Sequence, residues 1–292
     1  GDLIWERFFD GITPHTPVEI IDLNKDSIPE IIVPTFDFGP LVLHGNNGSI
    51  YWWNKIVPCA NLYFAVFDID GDGYPEIFVN SGKGPYQGYD YITSLSHDGK
   101  ILHQAWSWHP CWGGLTIGDS NSDGRFELYQ GDRSAYYNPS GETYKGGGMG
   151  LRALDAHTLT PLWSDPTILC SSQAPVLADV DKDGILDVII ADQNTNGTAV
   201  LNSFDGRVVT TGGKYRKGGT DMPAHSQITV YDIDGDGNLE LIDSYDSSPK
   251  IWDLWDWKLD AVLPVVTGEP PKVGDVTGDG LMDIIAVTSK DI

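Results

Sequence analysis

One nine-residue acidic pattern recurs six times along the chain, and no other feature constrains the fold as much. The first three copies are Asp22-Leu-Asn24-Lys-Asp26-Ser-Ile28-Pro-Glu30, Asp68-Ile-Asp70-Gly-Asp72-Gly-Tyr74-Pro-Glu76 and Asp119-Ser-Asn121-Ser-Asp123-Gly-Arg125-Phe-Glu127. The last three are Asp179-Val-Asp181-Lys-Asp183-Gly-Ile185-Leu-Asp187, Asp232-Ile-Asp234-Gly-Asp236-Gly-Asn238-Leu-Glu240 and Asp275-Val-Thr277-Gly-Asp279-Gly-Leu281-Met-Asp283. Their starts lie 46, 51, 60, 53 and 43 residues apart. A motif at this period marks a propeller or solenoid array, in which each repeat is one supersecondary unit.

Each copy places an oxygen-bearing side chain at positions 1, 3, 5 and 9. Alternate residues of a tight loop converge on one point, and Gly at position 6 supplies a positive-φ turn. Position 7 (Ile28, Tyr74, Arg125, Ile185, Asn238, Leu281) adds a backbone carbonyl. Such a hard, oxygen-only shell suits Ca²⁺ rather than zinc or copper. The six loops hold 21 of the chain's 42 acidic residues, and six bound Ca²⁺ would halve the net charge of −24. One Asp-Gly pair is an ordinary turn; six in register read as six cation sites.

An EF-hand loop is longer and sits between amphipathic helices. Here the flanks are β-branched runs of strand length, such as Val18-Glu-Ile-Ile21 and Glu30-Ile-Ile-Val33. A second hairpin follows in each of five repeats, over Leu41–Trp53, Ile92–Leu102, Met149–Trp163, Ala199–Val209 and Lys250–Leu263, with Asn-Gly, Asp-Gly or similar pairs at most centres. Loop, two inner strands, turn and two outer strands make a four-stranded blade. The expectation is an all-β chain, one six-bladed β-propeller over residues 1–292, with a calcium loop in every blade.

The strongly negative charge argues against nucleic acid and anionic membrane surfaces as partners, and no run of 18 apolar residues is present to span a bilayer. The first residues, Gly1-Asp-Leu-Ile-Trp-Glu6, lack the basic and apolar regions of an export signal, which is expected to have been removed or never present. Three cysteines, Cys59, Cys111 and Cys170, make no complete disulfide framework. Sequons at Asn47 and Asn196 fit an exported protein.

The loops resemble those of the FG-GAP/VCBS repeat family, which read D-x-D-G-D-G-x-x-D/E. The likeness is closest at Asp68–Glu76 and Asp232–Glu240, good at Asp179–Asp187 and Asp275–Asp283, and runs over nearly the whole chain. It implies a calcium-stabilised propeller of the kind found in integrin heads, bacterial and archaeal surface proteins and some polysaccharide lyases. In that family the ion braces the hairpin between the two inner strands. The first copy departs from the pattern at Ser27 and Asn24.

Leu3–Phe8 reads as an outermost strand closing the ring in the last blade. That blade otherwise ends soon after its second strand and offers a slot for a strand from another subunit. Cys59, Cys111, Cys170, His15 and His225, with His109, Trp112 and Asn61 close by, precede the inner strands at matching offsets. They read as packing residues, as a Cys59–Cys111 disulfide, or as a soft-metal or ligand site. The Gly- and Tyr-rich insertions 81–91 and 131–150 suit carbohydrate or protein recognition, or are plain solvated loops. Trp52, Trp53, Trp106 and Trp108 read as blade-to-blade packing.

Two enzyme readings remain open. A rhamnogalacturonan-lyase-type activity would need a base, for which His109, His225 or Lys145 are candidates. A quinone-cofactor dehydrogenase is suggested only by Leu151–Trp163. The leading expectation is a non-enzymatic, extracellular surface or matrix module with structural Ca²⁺. It would bind a protein or carbohydrate, or self-associate into filaments.

Overall fold

A computed structural model describes residues 2–9, 18–35, 38–57, 64–82, 90–107, 114–131, 136–137, 143–144, 150–168, 174–192, 197–211, 214–215, 227–244, 248–267 and 271–287. The chain is all-β; no helix occurs among these residues, and none is long and apolar enough to cross a membrane. The first sheet is an antiparallel meander of β1 (Glu19–Ile21), β2 (Glu30–Val33), β3 (Leu41–His44) and β4 (Ile50–Trp53). The second repeats it with β5 (Phe64–Phe67), β6 (Glu76–Gly82), β7 (Asp90–Leu95) and β8 (Ile101–Ser107).

In the third sheet β9 (Leu115–Gly118), β10 (Glu127–Gly131), β13 (Leu151–Asp155) and β14 (Pro161–Asp165) pair in the same order, and a small hairpin, β11 (Tyr136–Tyr137) with β12 (Thr143–Tyr144), lies in the long insertion. The fourth sheet has β15 (Val176–Ala178), β16 (Asp187–Asp192) and β17 (Gly197–Asn202), followed by the short pair β18 (Thr210–Thr211) and β19 (Lys214–Tyr215). The fifth is again complete, with β20 (Gln227–Tyr231), β21 (Glu240–Ser244), β22 (Lys250–Asp253) and β23 (Leu259–Val262). The sixth consists of β24 (Lys272–Gly274) and β25 (Asp283–Ile285).

Four sheets thus have the expected four strands. In the fourth, the return of the Ala199–Val209 hairpin is a single bridge, Leu201 to Val208, with the Val209 N–H donating to Val200 O at 2.9 Å. In the sixth only the inner pair is formed among the described residues.

Burial follows from sheets stacked face to face. Every residue of β10 and of β16 is buried, as befits a strand covered on both faces, whereas β23 is exposed throughout. Separate apolar clusters fill the gaps between sheets. Leu23, Ile32 and Val42 meet Ile77, Val79 and Leu95 between the first and second. Ile69, Phe78 and Ile92 meet Leu115, Leu128 and Leu154 between the second and third. Tyr129 and Leu151 meet Val188 and Leu201 between the third and fourth. Val180, Ile189 and Val200 meet Leu241 and Leu254 between the fourth and fifth. Each such aliphatic side chain contributes about 1.5–3 kcal/mol on burial. The inner strands β5, β9, β15, β20 and β24 lie each beside the next.

Two devices seal these gaps at the outer hairpin turns. Trp52 of β4 donates its indole N–H to His97 O at 2.8 Å and covers Gly99, where a Cβ would stand 2.7 Å from the ring. Trp163 of β14 does the same to Ser203 O at 2.6 Å and to Gly206. In the third and fifth sheets the turn itself carries the plug, Leu159 at φ 57° and Trp257 at φ 58°, each buried against the preceding sheet. Trp106, on β8, remains partly exposed.

Leu3–Phe8 does not form a strand. Instead Trp5 donates to Gly45 O at 2.8 Å and its ring covers Gly48, so this segment repeats the tryptophan contact onto the first sheet.

Candidate metal centre

All six acidic loops adopt one hydrogen-bonded frame, built from short-range bonds that the spacing dictates. The position-6 N–H donates to the first Asp in every copy, from Ser27, Gly73, Gly124, Gly184, Gly237 and Gly280, at 2.7 to 3.1 Å. The position-7 N–H donates to the position-5 Asp at 2.7 to 2.9 Å, from Ile28, Tyr74, Arg125, Ile185, Asn238 and Leu281. The position-2 N–H donates to the position-9 carboxylate at 2.6 to 3.1 Å, from Leu23, Ile69, Ser120, Val180, Ile233 and Val276.

Position 6 has positive φ in every copy. Ser27 reaches 68° without glycine, so the irregular first loop keeps the common shape. Sequence reasoning missed that position 4 is also left-handed, at Lys25, Gly71, Ser122, Lys182, Gly235 and Gly278. The signal was available, since glycine fills that position in three of the six copies.

The first Asp of the second, fourth and fifth loops accepts backbone N–H groups at both oxygens, while the acids at positions 3 and 9 use one oxygen each. In the second, fourth and fifth loops, oxygens of Asp68, Asp70 and Glu76, of Asp179, Asp181 and Asp187, and of Asp232, Asp234 and Glu240 lie within 4.8 Å of one another. The position-9 acid starts the second strand, which carries it into the stack. Asp187 is 0% exposed; its Oδ2 accepts from Val180, and its Oδ1 is buried with no hydrogen-bond partner. Asp22 Oδ1 is buried without a partner too. A buried, unsatisfied carboxylate oxygen among other carboxylates is costly unless a cation meets it, so these residues fit a divalent ion.

The electrostatics agree. Burial, reinforced by Asp181, Asp183 and Asp179, pushes Asp187 up to about 7. Burial and the charges of Asp70, Asp72 and Asp68 push Glu76 to about 7, and the same causes raise Glu240 to about 6. Burial also raises Glu127 and Asp181.

The first loop differs in chemistry. Glu30 Oε1 accepts from the Asn24 amide at 3.2 Å and lies 3.1 Å from His44 Nδ1, so an amide and an imidazole occupy the oxygen that elsewhere faces the cluster. Asn121 and Thr277 replace a carboxylate at position 3 of the third and sixth loops. Cys59, Cys111, Cys170, His15, His109, His225, Trp108, Trp112, Asn61, Lys145 and Asn196 lie outside the described residues, as does most of the insertions 81–91 and 131–150.

Residues 179–242 match the family model of the FG-GAP-like repeat. The span opens on the first Asp of the fourth loop and closes within β21, after the fifth, so it contains two of the three convergent clusters. No curated protein matches the sequence at a significant level. Among solved structures the chain is similar to the V. cholerae biofilm matrix protein Bap1, with a TM-score of 0.58 and 19% identity over 94% of this chain and 44% of that one. BamB from Moraxella catarrhalis superposes with a TM-score of 0.54 at 13% identity, over 94% of this chain and 70% of that one. The quinohemoprotein alcohol dehydrogenase from Comamonas testosteroni gives 0.51 at 14% identity, over 80% and 51%. The chain spans less than half the length of Bap1. At these identities the likeness is one of fold, all-β and propeller-like.

Proposed function

We propose that this chain is a calcium-braced, six-bladed β-propeller that acts outside the cell as a structural or adhesion module. The observation that carries the reading is the buried, partnerless Oδ1 of Asp187 among the acids of its loop. An oxygen-only donor set favours a hard cation, and Ca²⁺ tolerates the irregular geometry of mixed side-chain and carbonyl ligands. Loops of modest affinity fill where calcium is abundant, which supports an extracellular setting, as does the likeness to a biofilm matrix protein. The partner class is a surface protein or carbohydrate, or a second copy of the chain.

Ring closure is supported by what the first and sixth sheets leave uncovered. Two residues before the first Asp, Val66, Ile117, Leu177 and Val230 each pack against the preceding sheet. Their counterpart in the first sheet, Ile20, is 62% exposed. Leu23, Ile69 and Val180, at position 2, are buried against the following sheet, whereas Val276 is 66% exposed. Docking the sixth sheet on the first covers both, with Trp5 sealing the gap at the outer turn of the first sheet.

Native mass spectrometry and electron microscopy in calcium test the reading. Bound Ca²⁺ and a closed ring of six blades are the expected results. A metal-free protein at millimolar calcium, or an open arc, overturns it.

A further inference from the structure

We infer that Lys25 and Lys182 are built-in cations that lower the calcium affinity of the next loop along the chain, dividing the sites into two classes. The inference rests on the calcium reading above. Both lysines stand at position 4, with φ of 61° and 64°, in a left-handed conformation that is unfavourable for any residue but glycine. Both reach forward to the following sheet.

Lys25 Nζ donates to the backbone carbonyl of Asp72 and lies 4.0 Å from the centre of the Tyr74 ring. It fits there because position 6 is Gly73; a Cβ would stand 2.6 Å from Lys25 Cε. Lys182 Nζ donates to Asn238 Oδ1 at 2.9 Å, and Asn238 Nδ2 donates in turn to Asp236 Oδ2 at 3.0 Å. Lys182 also lies 5.5 Å from the centre of the Trp255 ring. Each ammonium therefore sits against positions 5 to 7 of the neighbouring loop.

The loops that receive a lysine are rich in charge. The second and fifth each carry four carboxylates. The fourth also carries four, but the residue at position 4 of the loop before it is Ser122. There the link between loops is neutral, from the Leu186 N–H to Ser120 O at 2.8 Å. The fourth loop is thus an internal control.

The sign follows from both end states. Without a metal, the ammonium offsets repulsion among the carboxylates and stabilises the empty loop. With Ca²⁺ bound, it repels the ion. Both effects weaken binding, and both are screened by salt. The fourth loop fills first, and the second and fifth follow external calcium and ionic strength.

Calorimetric calcium titration of the full chain tests this. Lys25→Met and Lys182→Met should each tighten one site by roughly three- to tenfold at low ionic strength. The gain should shrink at about 1 M salt, where the Debye length is about 3 Å. Lys25→Arg should bind like the unaltered chain, and Ser122→Lys should weaken one site, which keeps the test decisive if a methionine variant folds poorly. Calcium binding that is unchanged or weaker in the methionine variants overturns the inference and leaves the calcium reading intact. An unaltered chain that binds no calcium fails the underlying reading instead.

Discussion

The Trp5 indole donates its N–H to the Gly45 carbonyl at 2.8 Å, the bond that Trp52 makes to His97 and Trp163 to Ser203. In the latter two the tryptophan belongs to the outermost strand of the preceding sheet. Trp5 makes the contact from a segment with no strand of its own. Trp5→Ala should destabilise the protein by about 1–3 kcal/mol through lost apolar burial and a lost hydrogen bond. Trp52→Ala should cost at least as much. Denaturant melts of both variants check this; a Trp5→Ala protein as stable as the parent would make the contact incidental.

The glycines under those indoles differ from the glycines of the loops. Gly99 has φ 81°, and a Cβ there would stand 2.7 Å from the Trp52 ring. Gly124 has φ 83° with nothing within 4 Å. Gly124→Ala should cost only its backbone strain, about 1 kcal/mol. Gly99→Ala adds a collision, so it should cost more and also shift tryptophan fluorescence. Equal losses from the two would refute the packing role of the turn.

Chelation should destabilise the protein. A site held at ~100 times its dissociation constant contributes about 2.7 kcal/mol, so removing several ions should lower the melting temperature by tens of degrees. Asp187→Asn should remove most of one site's share while keeping the side chain's shape. A chelator-induced shift of only a few degrees would count against structural calcium.

The pH dependence should reverse with metal. In the metal-free protein Asp187 rises from 3.8 to about 7 and Glu76 from 4.5 to about 7. A raised folded pKa means that the folded state holds its protons more tightly. Their contribution is therefore fully present below about pH 4 and is lost as pH rises through about 7. With calcium, the same acids must be ionised to bind, so stability should rise over that window. Melting temperature against pH, with calcium and with chelator, should give slopes of opposite sign between pH 5 and 7. Parallel slopes would show that these carboxylates do not hold the ion.

The acidic loops were legible because their geometry is local. Asp68 takes the Gly73 N–H five residues on, and Glu76 takes the Ile69 N–H seven residues back, so spacing alone prescribes the frame. The hairpins Leu41–Trp53 and Ile92–Leu102 were legible for the same reason. Trp52 was rightly read as sheet-to-sheet packing, whereas Trp106 stands partly exposed. The Leu3–Phe8 strand was not formed, although its tryptophan makes the same indole bond as Trp52 and Trp163.

From the sequence alone came six equivalent acidic turns between short strands, since bonds spanning two to seven residues depend on residue order and little else. Only the tertiary structure decided which residue plugs each gap between sheets, a tryptophan from behind at Gly99 and Gly206 or the turn's own Leu159 and Trp257. It alone decided, too, that Lys25 and Lys182 lean on the loop ahead. Either plug buries apolar surface across a gap that chain neighbours do not span. The choice between them is therefore set by how the sheets stack, not by the local pattern.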